Sequence, residues 1–256
     1  MKKHREGFEV LFYHLDRYGY SSIRSIMNFM QATANMHGRI LGTSLDDFLE
    51  EDFTWVFSRF HIKMENYPRQ YDRISVDTWR SEIRKCFAFR EFEVYDDARN
   101  LLGAATASAV LMGKSTRKPT DIPGFIKEQF APDLGRAIRD DFEPIPMFEK
   151  PLNSKSFHVR HSDIDLNHHV NNTSYVDWII ESVPEDVLKT CVIKSCEIAY
   201  KAEAFYGEKI QSHSSPEAAD DKSFINTTSF LHRLVRCGDD KTTTIARTVW
   251  EKMTNT

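Results

Sequence analysis

The order of secondary-structure signals runs through this chain twice, and that repetition restricts the fold more than any single motif. Residues 8–13 (FEVLFY) read as a strand. After "RYGY", Ser21 or Ser22 can cap a helix in which Ile23, Ile26, Met27, Met30 and Ala34 recur at helical spacing, with Gly42 as its stop. Four β-rich stretches follow: "TWVFSRFHIKM" from Thr54, "DRISVDTWRSEI" from Asp72, "CFAFREFEVYDD" from Cys86 and "LLGAATASAVLM" from Leu101, divided by breakers such as "NYPRQYD" and "DDARN". The order then returns. "SFHVRH" from Ser156 reads as a strand, 172–180 as a helix, and "VIKSCEIAYKAEA", "EKIQSHS", "SFINTTSFLHRLV" and "TTTIARTVWEK" as strands. Placing Phe8 on Phe157 gives an offset of 149, and the later strands fit offsets nearer 140. One long helix against a mostly antiparallel sheet is an α+β unit, so the expectation is residues 1–125 as one unit, 126–152 as a Pro-rich linker (Pro132, Pro144, Pro146, Pro151) and 153–256 as the second. Two such units can join sheets edge to edge and hide their edges; two independent domains sharing an element order is the alternative.

The densest polar stretch, "DIDLNHHVNNTSYVDW" from Asp163, lies at the head of the second helix. A bland reading is a polar turn with Asn171 or Asn172 as N-cap. It accounts for one Asn and leaves Asp165, Asn167 and His169, at alternate positions, without a reason. The chemical reading gives each a task. An imidazole such as that of His169 can move protons, the Asn167 amide can hold a water or polarise a carbonyl, Asp165 can orient its neighbours, and open N–H groups at the helix start favour an oxyanion. Val170, Tyr175, Trp178 and Ile179 make an apolar face for packing. A metal site is disfavoured, because His168 and His169 are adjacent and no other His or Cys lies at ligand spacing. No G-x-S-x-G elbow marks a Ser nucleophile.

Composition narrows the class. The 256 residues are 41% apolar and 28% charged with a formal charge of −4, a globular make-up that argues against a general nucleic-acid binder. No apolar run approaches a membrane span, and MKKHREGFEV has no apolar stretch after its basic tip, so neither signal nor transit peptide is expected. Cys86, Cys191, Cys196 and Cys237 show no CxxC pairing and read as reduced thiols of a cytoplasmic protein.

"DIDLNHHVNNTSYVDWIIESVPEDVL" resembles the signature of the acyl-acyl carrier protein (acyl-ACP) thioesterases, and "MQATANMH", "WVFSRFHIKMENYPRQYDRISVDTW" and "GKSTRKPTDIP" resemble the family's first half. The resemblance implies two tandem hotdog folds, each a long central helix wrapped by an antiparallel sheet, joined as a pseudo-dimer. It implies hydrolysis of an acyl thioester carried on the phosphopantetheine arm of acyl carrier protein, releasing free fatty acid in fatty acid biosynthesis, with no cofactor or metal. By position, Asp165, Asn167 and His169 match the family's Asp-x-Asn-x-His, and Glu203 in "YKAEA" falls on its acidic site residue. A Cys nucleophile proposed for the family falls on Ala204, so the resemblance implies water or a carboxylate as nucleophile here. The 149 offset sets Asp16, Tyr18 and Tyr20 against Asp165, Asn167 and His169, which makes the second unit catalytic and the first the acyl-binding, non-catalytic one, Met27 and Met30 facing either an acyl tunnel or ordinary core. Arg80, Arg84, Lys85 and Arg90, or Lys114, Arg117 and Lys118, would offer an acidic carrier a basic patch, or be solvated surface. Rival readings are a non-catalytic acyl-thioester binder, a hotdog acyl-CoA thioesterase or a hotdog dehydratase. No nucleic-acid or membrane partner is expected, and a homodimer stays open.

Overall fold

The protein is described from a computed structural model covering residues 2–44, 47–48, 51–217 and 226–253. It divides into two compact units, Met1–Asp141 and Phe142–Thr256.

In the first unit, β1 (Lys3–Glu9) is followed by α1 (Ile23–Ile40), then β2 (Phe53–Met64), β3 (Arg73–Arg84), β4 (Phe87–Asp96), β5 (Leu101–Gly113) and a short α2 (Gly124–Lys127). All strand pairs are antiparallel, in the order β1-β3-β4-β5-β2. The α1 start follows from Ser22, whose hydroxyl accepts the Ser25 N–H and satisfies one donor the first turn leaves open. Its stop follows from Gly42, at φ +65°, a left-handed value that glycine adopts without penalty. Ile23, Ile26, Met27 and Met30 are buried as their spacing predicts, but Thr33 and His37, not Ala34, continue the buried stripe. Phe60, Phe92, Ile62, Met64 and Val76 supply its other side, each wholly out of solvent or nearly so. Burial of each such side chain contributes about 1.5–3 kcal/mol.

The second unit holds β6 (Asn153–His158), α3 (Asn172–Glu181), a short α4 (Glu185–Thr190), β7 (Cys191–Tyr200), β8 (Lys209–Pro216), β9 (Thr227–Arg236) and β10 (Lys241–Lys252). Its order β6-β8-β9-β10-β7 has the connectivity of the first unit.

Three boundaries differ from expectation. The apolar run at 8–13 leaves the sheet after Glu9, and Phe12–His14 form one 3₁₀ turn with Phe12 72% exposed. Val10 is spent on the loop before β3, giving its N–H to Asp72 and its carbonyl to Tyr71. The strand read into "YKAEA" ends at Tyr200, because the N–H groups of Lys201 and Ala202 both turn to the Thr243 carbonyl. Glu203 therefore stands in a loop. The strand expected from Ser223 begins at Thr227, and residues 223–225 lie outside the described residues.

Candidate active site

The loop between β6 and α3 is held by its own acids before any chemistry is considered. Asp163, 1% exposed, receives the Arg160 N–H at 2.8 Å and both Nε and Nη2 of its guanidinium. Its carbonyl takes the Asn171 N–H at 2.7 Å. Asp165 Oδ1 accepts the Asn167 N–H at 2.8 Å, while the Asp165 N–H donates to the His169 carbonyl. His168 takes φ +62° to close this turn. Asn171, not Asn172, caps α3, its Oδ1 accepting from both the N–H and the hydroxyl of Thr173.

The first unit builds the same loop in register. Asp16 Oδ1 accepts the N–H groups of Tyr18 and Tyr20 at 2.8 and 3.1 Å, Gly19 takes φ +80°, and the bridge Leu15–Ser21 matches Ile164–Val170 at the 149 offset. The backbone frame thus recurs with different side chains. Tyr20 stands where His169 stands, and its hydroxyl meets Arg69 Nη2 at 2.5 Å under a guanidinium 4.3 Å from the ring.

In the second unit the loop delivers His169 to Glu203. Nε2 and Oε2 lie 3.5 Å apart, with the side chains 25% and 29% exposed. Phe205 sets its ring edge-to-face against the imidazole at 5.3 Å, limiting how it can turn. The loop bearing Glu203 is fixed at three points. Val170 N–H donates to the Ala204 carbonyl, Arg236 Nη1 donates to the Glu203 carbonyl at 2.9 Å, and Gly207, at φ +83°, gives its N–H to Val159. Arg236 is itself forked onto Asp239, which raises the Arg236 pKa and lowers that of Asp239 to about 2. Beneath, Tyr175 is 3% exposed, and burial pushes its hydroxyl pKa up.

Of the four residues read from sequence, His169 and Glu203 are brought together. Asp165 reaches Asn167 through the backbone, and the Asn167 side chain stands exposed. The α3 start offers fewer open donors than a bare helix end, since the N–H groups of Asn171, Thr173 and Ser174 bond to Asp163 O, Asn171 Oδ1 and Asn171 O. Two polar atoms of that first turn, Asn172 Nδ2 and Ser174 Oγ, are instead buried with no acceptor or donor among the described residues. Sequence reasoning spent Asn172 as a cap alternative and passed over Ser174, Phe205 and Arg236. Only the fold shows which side chains the sheet and turns bring to one place.

Two profiles match the chain: the acyl-ACP thioesterase N-terminal domain over residues 1–130 and the C-terminal domain over 149–252. The chain belongs to the acyl-ACP thioesterase family. A chloroplastic acyl-[acyl-carrier-protein] hydrolase of Cuphea viscosissima is 30% identical over 96% of this chain and 62% of its own length. A chloroplastic palmitoyl-acyl carrier protein thioesterase of Cuphea hookeriana is 31% identical over 78% of this chain and 51% of its own. The chain therefore spans between half and two thirds of these relatives. The structure of the 12:0-ACP thioesterase from Umbellularia californica superposes with a TM-score of 0.87 at 26% identity, covering 98% of this chain and 94% of that one. An acyl-ACP thioesterase from Bacteroides thetaiotaomicron gives 0.84 at 24% identity, covering 97% and 98%. These likenesses agree with the hotdog-type fold, an antiparallel sheet with few helices.

In this acyl-ACP thioesterase family member the expected basic patch of Arg80, Arg84, Lys85 and Arg90 is not one surface. Register pairs Arg80 with Arg90 across β3 and β4 on the side facing α1, where Arg80 is 4% exposed, and only Arg84 and Lys85 stand at the exposed turn. Lys114, Arg117 and Lys118 are exposed on the turn after β5. Among the described residues no helix is long and apolar enough to cross a membrane.

Proposed function

We propose that the chain hydrolyses the acyl thioester of acyl carrier protein and releases free fatty acid, with its active site in the second of two tandem hotdog units. The observation that carries this reading is the His169–Glu203 pair at 3.5 Å, set by a loop that the first unit repeats without the imidazole. Glu203 takes a proton from water as the water oxygen bonds to the thioester carbon. His169 beside it orients that water and relays the proton to the departing sulfur as the C–S bond breaks, leaving the acid and the carrier's thiol. Asp165 frames the turn from which Asn167 reaches out to the substrate carbonyl. Asn172 Nδ2, buried without an acceptor among the described residues, is a further donor for a carbonyl oxygen or water. The first unit holds the acyl chain against Met27 and Met30, and a cytoplasmic home belongs to the same reading. The decisive assay is palmitoyl-carrier thioester with a thiol dye. Repeated turnover is expected; stoichiometric binding without thiol release would make the chain a binder, and turnover with the coenzyme A thioester alone would change the carrier.

Ala204, wholly buried, stands beside Glu203 where a thiol nucleophile would be needed. Cys196 is buried, and burial raises its pKa to about 12, far from a reactive thiolate. Alkylation of the accessible cysteines with iodoacetamide should leave most activity intact. Substrate-protected, stoichiometric inactivation would overturn the water mechanism.

The repeat also predicts an asymmetry. Tyr20 carries a phenol in place of the imidazole, and its hydroxyl is occupied by Arg69. Tyr20→Phe should leave kcat within a few-fold, whereas His169→Ala should depress it, because only interactions strengthened in the transition state raise kcat. Equal losses in the two variants would contradict the division of labour.

A further inference from the structure

We propose that Arg80 and Arg90 form an internal anion site in the first unit, built to hold one oxyanion of the carboxylate or phosphate class. The two residues are direct register partners on β3 and β4, so their side chains leave the same face of the sheet toward α1. Arg80 is 4% exposed. Its Nη1 donates to Gln129 Oε1 and its Nη2 to Thr43 Oγ1 at 2.7 Å. Arg90 Nη1 is shared between Thr78 Oγ1 and His37 Nδ1, each at 3.3 Å, and His37 is fully buried at the last turns of α1. Every acceptor in this set is neutral.

The carboxylates nearest in sequence are committed elsewhere. Glu91, one residue from Arg90 and therefore on the other face, accepts from Ser81 Oγ at 2.6 Å, Thr106 Oγ1 and the Ala137 N–H, and pairs with Arg136. Asp77 is taken by Lys3, Arg5 and Arg99, and Glu82 by Arg84 and Arg136. Among the described residues no carboxylate pairs with Arg80 or Arg90.

Like charges directly across a strand pair repel, and a desolvated guanidinium without a counter-charge is destabilising. Burial lowers the Arg80 pKa to about 10 and holds Arg90 well below its ordinary value, with Arg80 as a further cause for Arg90 that the charge of Glu91 only partly opposes. One oxyanion between two planar donor forks would offset both terms, since carboxylate and phosphate accept paired N–H bonds from such forks. Beyond Thr78, the residues Val76, Phe92, Phe60 and Met64 share this face and are all buried. The guanidinium pair is thus the polar end of an apolar layer, a chemistry that suits either a free inorganic oxyanion or the head of a carboxylate with a hydrocarbon tail.

The test uses the full chain, with isothermal titration calorimetry and thermal melting in sodium phosphate or in sodium decanoate, each against sodium chloride at matched ionic strength. Saturable one-to-one binding with a rise in Tm is expected from one of them. Phosphate identifies an inorganic oxyanion, and decanoate without phosphate identifies an amphiphile's carboxylate. Arg90→Gln should weaken that binding at least ~10-fold, the loss of one charge-assisted fork, and in chloride alone should melt no lower than the wild type. Arg90→Lys, which keeps charge without the fork, should fall between. His169→Ala should leave the binding unchanged, which separates this site from the proposed active site. No Tm or heat response to either anion, or an affinity untouched by Arg90→Gln, would overturn the proposal.

Discussion

Glu203→Gln and Glu203→Ala should each lower turnover of an acyl-carrier thioester at least ~10²-fold, the scale of losing a general base, while barely moving the melting temperature. The two halves of this expectation come from different parts of the structure. The carboxylate is partly exposed and lies 3.5 Å from His169 Nε2, an arrangement in which an ion pair is worth at most about 1 kcal/mol to folding. The loop, by contrast, is held through its backbone: Arg236 binds the Glu203 carbonyl and Val170 the Ala204 carbonyl. Neither bond depends on the Glu203 side chain, so the substitution removes chemistry and leaves the scaffold. The measurement is steady-state kinetics beside a melting curve for each variant. Turnover near wild type in both variants would remove Glu203 from the mechanism, and a large fall in Tm would recast it as a structural residue.

The gross architecture was readable because two periodicities carried it. Ile23, Ile26, Met27 and Met30 at helical spacing and the alternating runs from Thr54 to Met112 place α1 and the sheet that covers it. The internal repeat was readable as well, and the structure makes it sharper than the sequence did. The capped helix starts, the Asx-type turns at Asp16 and Asp165 and the left-handed residues Gly19 and His168 all keep the 149 spacing. After the helix the spacing contracts. The Val10 N–H donates to Asp72 and its counterpart Val159 to Glu208, placing the later loops 208 − 72 = 136 residues apart.

What stayed hidden depends on register and on turns that have no period. Arg80 and Arg90 looked like surface charge because their spacing in sequence says nothing about which face each strand turns to the helix; pairing decides it. A register shift between Arg80 and Ile83 then changes which residues face out, leaving Arg84 and Lys85 in solvent. Glu203 was read as a strand residue because "YKAEA" continues an apolar-polar alternation past the point where Thr243 ends the ladder. Arg236 lies 33 residues beyond Glu203 and touches its carbonyl only after β7, β10, β9 and β8 have paired.

Acid should destabilise this protein through the buried imidazole of His232, beginning at a pH above the range of its carboxylates. The ring is 1% exposed, with Nδ1 3.4 Å from Ser182 Oγ and Nε2 2.8 Å from Thr248 Oγ1. Ser182 Oγ gives its own hydrogen to the Ile179 carbonyl, so the network is satisfied by a neutral ring with its proton on Nδ1. Burial lowers the folded pKa to about 3, against about 6.5 in the unfolded chain. The folded state thus resists a proton that the unfolded state accepts. The contribution of His232 is complete above pH ~6.5 and declines at up to about 1.4 kcal/mol per pH unit as pH falls toward ~3. At pH 4.5 the loss should reach about 2–3 kcal/mol relative to pH 7.5. Asp77 and Asp239, whose pKa values are also lowered, act in the same direction, but their contribution is lost only nearer and below the ordinary carboxylate range. Urea unfolding at pH 7.5, 6, 5 and 4.5 separates the two, with His232→Gln keeping hydrogen-bonding groups but no titration. The variant should be less stable at pH 7.5 yet lose less on acidification, narrowing the gap by about one proton's slope. The consequence reaches the candidate site, because Ser182 ends α3 and its carbonyl is held by Ser214 Oγ. Protonating His232 loosens the far end of the helix whose head follows His169. An unchanged pH slope in His232→Gln would show that some other group carries the acid sensitivity.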